Sequence, residues 1–178
     1  MHSMRRWLPI PWVRLDKKMK KHIFYTGPRG IGKSTLLQKH LAQFQGVFTG
    51  FRTVKVPCGD SFSVHMLPVD KKEMPTEENL LFYRGEKRAY EQNALRFDAI
   101  GCRYLADLEG AELIVMDELG SAESTAKAFQ DRVLELLDGD TPILGVLQEG
   151  ESAFQRRVAT HPNVELIYVT EENRDSLS

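Results

Sequence analysis

The sequence predicts an α/β domain: a mainly parallel sheet flanked by helices on both faces, with an antiparallel strand addition. Three observations predict it. Near the start, a short run of β-branched and aromatic residues meets a glycine-rich turn and then a helical pattern. From Glu112 onward, strand-like and helix-like segments alternate, as they do where parallel strands are joined by crossover helices. Between these regions, residues 47–69 read as two strands joined by a tight turn, the mark of an antiparallel pair.

Taken in order, His22–Thr26 reads as the first strand, bounded at once by Gly27 and Pro28. Ser34–Gln45 places Leu36, Leu37, His40, Leu41 and Phe44 at helical spacing, with Gly46 as the expected C-cap. Val47–Val56 and Ser61–Val69 are strand-like, with Cys58, Gly59 and Asp60 between them as the turn. Asp70–Asn79 is charged, contains Pro75 and reads as a surface loop. Leu80–Tyr83 and Phe97–Ile100 read as short strands, and Ile100–Leu108 as helical. Then come strand Glu112–Met116, helix Ser124–Leu137 ended by Gly139, strand Ile143–Leu147, helix Ser152–Ala159 and strand Val164–Val169.

A chain of 178 residues with 42% apolar and 28% charged residues has ordinary globular usage and length for one domain, which sets aside disorder and fibrous repeats. No apolar run reaches the roughly 20 residues that a membrane span needs. Leu8–Val13, interrupted by Pro9 and Pro11, is too short for the core of a secretion signal, so a cytoplasmic location is expected. Cys58 and Cys102 stand far apart with no metal-ligand spacing and read as reduced, largely buried thiols. The net charge of −1 conceals an asymmetry: residues 1–21 carry Arg5, Arg6, Arg14, Lys17, Lys18, Lys20 and Lys21 against Asp16 alone. The division expected is a basic arm at 1–21, with Trp7 and Trp12, followed by the folded domain at 22–178. Such an arm suits either acidic surfaces or plain solvation.

The chemistry begins at Gly27-Pro28-Arg29-Gly30-Ile31-Gly32-Lys33-Ser34-Thr35, which satisfies G-x-x-x-x-G-K-[ST] between a strand and a helix, the context that a P-loop requires. Glycines let successive N–H groups converge on an anion, and the helix that follows turns its positive end toward phosphate. Lys33 is then expected to reach the β and γ phosphates, and Ser34 to ligate Mg2+. The partner implied is a nucleoside triphosphate, ATP or GTP, since the grip is on phosphate and blind to the base. Nucleic acid is not expected as a partner, and no protein partner is named by these residues.

A magnesium ion on phosphates also needs a protein carboxylate, and Glu112-Leu-Ile-Val-Met-Asp117 offers one at the end of an apolar strand. Glu118 follows at once, placed to activate a water while Asp117 serves the metal. Hydrolysis is therefore expected, with Lys33 and Glu118 as catalytic residues and Ser34 and Asp117 as metal ligands. Phosphoryl transfer to a small acceptor and a nucleotide switch with negligible turnover remain open. Arg84, Lys87, Arg88, Arg96 and Arg103 are candidates for the cation that meets charge developing on phosphate, against the alternative of solvated surface residues. After the last strand, Asn173 and Arg174 emerge where open α/β sheets bind ligands, suited to a base edge and a stacking plane, or else to a polar tail.

Three stretches together resemble the small archaeal-type nucleoside triphosphatases related to the vertebrate cancer-related nucleoside-triphosphatase: Gly27–Thr35, Leu-Ile-Val-Met-Asp-Glu-Leu-Gly at 113–120, and Val-Thr-Glu-Glu-Asn-Arg-Asp at 169–175. The resemblance spans about residues 22–176. It implies a RecA-like P-loop fold and magnesium-dependent hydrolysis of ATP, GTP and often other nucleoside triphosphates. It also implies nucleotide contacts from Gly27 through Thr35 and from Asp117 and Glu118. This chain departs from the pattern at Ser121-Ala122-Glu123, where the family usually has Lys-Met-Glu, so that lysine has no counterpart here.

Overall fold

The computed structural model describes residues 20–84 and 89–177. Its seven-stranded sheet has the order β4-β3-β2-β5-β6-β1-β7. The strands are β1 (His22–Thr26), β2 (Phe48–Cys58), β3 (Ser61–Pro68), β4 (Leu80–Tyr83), β5 (Leu113–Leu119), β6 (Ile143–Leu147) and β7 (Val164–Tyr168). The helices are α1 (Lys33–Gln43), α2 (Ala89–Arg96), the short α3 (Cys102–Tyr104), α4 (Lys127–Asp138) and α5 (Ala153–Ala159). Strands β2, β5, β6, β1 and β7 run parallel, while β2–β3 and β3–β4 pair antiparallel. The expected class is found. One refinement concerns β2, which is no mere appendage: its first half, Phe48–Arg52, lies parallel to β5, and its second half continues beyond β5 with β3 alone.

Period-two alternation puts the apolar residues of each central strand into two cores. On one face Tyr25, Leu113, Val115, Leu144 and Val146 receive Leu36, Leu37 and Leu41 of α1. On the other, Phe24, Phe51, Ile114 and Met116 pack with Phe97, Ile100, Phe129, Val133, Phe154 and Val158 from the remaining helices. Phe129 is the hinge of that second core, with its ring 5.7 Å from Phe51 and 6.1 Å from Phe97.

Several boundaries differ from expectation. Helix α1 stops at Gln43, and Phe44 caps it through its backbone N–H rather than Gly46. The expected strand Phe97–Ile100 is π-helical from Phe97 to Gly101, continuing α2, which the sequence pattern did not suggest. The apolar pair at spacing three is one helix face, and Gly101 lets that helix approach the Phe129 ring, where a Cβ would sit 2.3 Å from it. Strand β5 runs through Asp117 and Glu118 to Leu119 instead of ending before them. Helix α4 starts at Lys127, three residues late, and Gly139 follows it as expected. Loop 70–79 is mostly exposed, yet Asn79 is buried and its amide carbonyl lies 3.0 Å from Nδ1 of the buried His65, whose Nε2 meets the Ser63 hydroxyl at 2.8 Å. Both cysteines are free, but Cys58 is exposed rather than buried. No helix among the described residues is long and apolar enough to cross a membrane. The basic arm lies outside the described residues except for Lys20 and Lys21, and Lys21 pairs with Asp140.

Candidate nucleotide site

Parallel strands end on the same side, so the carboxyl ends of β1, β6 and β5 bring Gly27, Gln148 and Asp117–Glu118 to one rim. Strand β6 separates β1 from β5, two strand spacings or roughly 10 Å. Helix α1 spans the gap by packing over β1, β6 and β5 from its start at Lys33. The turn preceding it needs glycine: Gly27, Gly30 and Gly32 all have positive φ, and a Cβ at Gly27 would lie 2.6 Å from the Val169 carbonyl oxygen. Buried Lys33 donates to the Gly27 and Pro28 carbonyls at 2.7 and 2.9 Å, which lays its ammonium across the mouth of the loop. Arg29 and Thr35 are exposed, and Ile31 is partly buried against the α1-side core.

The Ser34 hydroxyl donates to Asp117 Oδ1 at 2.8 Å. Burial pushes Asp117 up to about 6, with the adjacent Glu118 adding to the shift, while the Ser34 hydrogen bond and the Arg52 guanidinium oppose it. Two oxygens within reach of one point, one of them on a buried carboxylate, fit a divalent cation. No group of three His, Cys, Asp or Glu side chains among the described residues could hold a metal.

Glu118 accepts a hydrogen bond from Gln148 Nε2. Behind it, Glu123 is 3% exposed and accepts from the Gly120 N–H at 2.9 Å. Burial pushes its carboxyl up to about 7, the backbone donors oppose this, and Glu118 adds to it.

Three residues that the sequence reading passed over therefore touch the rim. Gln148 carried a signal, since it immediately follows an apolar strand at the carboxyl edge. Arg52 carried none: only the register places it opposite Asp117 in the β2–β5 pair. Glu123 reads as one more loop acid until the turn at Gly120 closes on it.

Among the described residues, the cationic candidates Arg84, Arg96 and Arg103 make their contacts elsewhere. Arg84 lies over the Phe62 ring and Arg103 over Tyr104, both rings packed on the core opposite α1. Arg96 points its guanidinium at the Leu80 carbonyl, 3.5 Å away. Lys87 and Arg88 lie outside the described residues. The Asn173 amide is engaged within its own turn, accepting from the Thr170 N–H at 2.8 Å and donating to the Tyr168 carbonyl at 2.9 Å. Arg174 is exposed beside Asp175. The tail is nonetheless docked, because the Leu177 carbonyl meets His40 Nε2 of α1 at 2.7 Å.

A family model described as NTPase matches residues 22–178. The chain belongs to the NTPase family. This NTPase is thereby placed among enzymes, in the nucleoside-triphosphatase class. It is similar to a nucleoside-triphosphatase THEP1 of Methanosarcina barkeri, 32% identical over 162 residues that cover 87% of this chain and 91% of the relative. A THEP1 of Thermotoga petrophila is 28% identical over 160 residues, covering 87% of each chain. Among solved structures, the solution structure of a human cancer-related nucleoside triphosphatase superposes with a TM-score of 0.59 at 24% identity, covering 88% of this NTPase and 93% of that chain. The crystal structure of THEP1 from Aquifex aeolicus gives a TM-score of 0.56 at 24% identity, covering 86% and 92%. At that identity the likeness establishes the fold.

Proposed function

We propose that this NTPase hydrolyses nucleoside 5'-triphosphates, ATP and GTP among them, to the diphosphate and phosphate with Mg2+. The observation that carries the reading is the Ser34–Asp117 contact beside Glu118 on the rim that the P-loop lines. Gly27 through Thr35 supply the phosphate cradle, and Lys33 exchanges its two carbonyl partners for β and γ phosphate oxygens. Ser34 and Asp117 hold magnesium, which when bound neutralises phosphate charge. Glu118 takes a proton from water as the water oxygen attacks the γ phosphorus in line. The bond from that phosphorus to the bridging oxygen breaks, and its electron pair leaves with the nucleoside diphosphate.

Arg52, opposite Asp117, is placed to balance charge on this rim. Asn173 and Arg174 contact the nucleotide only if their turn opens, so we assign them the lesser part. Two adjacent carboxylates, Asp117 and Glu118, favour water over a second substrate, and the small-acceptor kinase takes second place. The names of the relatives, nucleoside-triphosphatases over nearly their whole length, support the same choice.

The test is steady-state phosphate release from ATP and GTP with magnesium, wild type beside Glu118→Gln, with and without a panel of nucleosides. Expected is turnover without acceptor, reduced at least about a hundredfold in Glu118→Gln while nucleotide binding persists. Full activity in Glu118→Gln removes Glu118 from its role, and release that depends on an added nucleoside selects the kinase.

A further inference from the structure

Glu118 is a flexible side chain with three torsions, and a carboxylate that activates water must present one oxygen at a fixed place. The group that touches it comes from the next strand: Gln148, the residue after β6, donates through Nε2 to Glu118 Oε1. We propose that Gln148 is the positioning residue for Glu118, holding one carboxylate oxygen so that the other faces the attacking water. This rests on the reading of Glu118 as the water-activating group.

The glutamine is itself held from several sides, as a positioning role requires. Its backbone N–H donates to the Leu119 carbonyl at 2.8 Å, tying it to the strand that carries Glu118. Its carbonyl accepts from Gln155 Nε2 at 2.9 Å. Gln155 is 2% exposed and is fixed in turn at the start of α5, where its backbone N–H donates to the Ser152 hydroxyl at 3.1 Å. The side-chain amide lies directly over Gly120: a Cβ there would be 2.3 Å from Gln148 Oε1. Glycine at 120 therefore makes the space in which the amide lies, and the same space leaves it little room to turn. The chain of contacts runs from α5 through Gln155 and Gln148 to one oxygen of Glu118. Because an amide donates without taking up a proton, this support persists across the working pH range.

The experiment uses the full chain and a double-mutant cycle. Gln148→Met keeps length and bulk but removes the donor, and Gln148→Glu sets a second carboxylate against Glu118. Phosphate release from magnesium ATP is measured together with nucleotide Kd and unfolding temperature. Expected is a kcat about tenfold to a hundredfold lower in both variants, the scale of loss from a misplaced reacting group. Kd and KM stay within about twofold, because the phosphate cradle is untouched. In the Glu118→Gln background, Gln148→Met adds no further loss, since the group it would position no longer activates water.

A wild-type kcat in Gln148→Met overturns the proposal, and so does a higher one, which would make the contact a restraint. Losses that add fully to those of Glu118→Gln, or that appear equally in Kd, overturn it in favour of a structural role. If Glu118→Gln itself retains full turnover, the reading of Glu118 fails; if that variant is inactive while Gln148→Met is not, only the present inference fails.

Discussion

At the scale of single residues, the rim combines acids whose burial and partners differ, and that difference separates their tasks. Asp117 is buried and bonded to Ser34, the pair proposed to receive the cation; Glu118 is half-buried and held by Gln148. Glu123 is the unusual one, since its partner is the Gly120 backbone N–H and burial pushes it up to about 7. The unfolded carboxyl titrates near 4.5, so the folded state binds the proton more tightly. Stability from this group is therefore fully present below about 4.5 and is lost as pH rises toward about 7. Glu123→Gln keeps an acceptor for the Gly120 N–H without a charge to bury. It is expected to unfold at higher denaturant than wild type at pH 8, by up to about 3 kcal/mol, and to match it only below about pH 4. Equal midpoints at pH 8 would mean that the Glu123 carboxylate is solvated well enough to ionise without penalty.

At the scale of elements, the decisive contact is between β2 and β5, because their register sets Arg52 opposite Asp117. That contact depends on Gly50, whose φ is +121° and whose added Cβ would lie 2.1 Å from the Val115 carbonyl oxygen. Gly50→Ala adds backbone strain and a clash with main chain that no rotamer relieves, a loss of roughly 3 kcal/mol. Chemical denaturation reads that loss, and the displaced β5 is expected to weaken magnesium-dependent nucleotide binding as well. Unchanged stability would mean that β2 and β5 part locally without cost. The elements also show where sequence pattern fails. Phe97–Ile100 is too short a run for its pattern to separate strand from helix, and it is helical, with Phe97 and Ile100 in one core and Gly101 against the Phe129 ring. The continuously apolar β5 and β6 suffered no such ambiguity.

At the scale of the whole molecule, one rim of one sheet serves three separate strands, so a ligand there ties distant parts of the chain together. Magnesium with a non-hydrolysed triphosphate at a hundred times its Kd is expected to add about 2.7 kcal/mol, a rise of roughly 5–10 °C in unfolding temperature. Lys33→Ala is expected to fold and to show no such rise; a full shift in that variant would deny Lys33 its phosphate contact. What the sequence determined by itself is what short spacing can carry. The P-loop, the apolar strand leading to Asp117 and Glu118, and the periods of α1, α4 and α5 are local patterns, and local sterics and hydrogen bonding suffice to read them. The tertiary structure alone decided which side chains meet. It put Arg52 beside Asp117 and Gln148 on Glu118, moved Arg84, Arg96 and Arg103 to the opposite layer, and engaged the Asn173 amide in its own turn. Those outcomes follow from strand order and register, which arise from packing between segments far apart in the chain, and no spacing along the sequence encodes them.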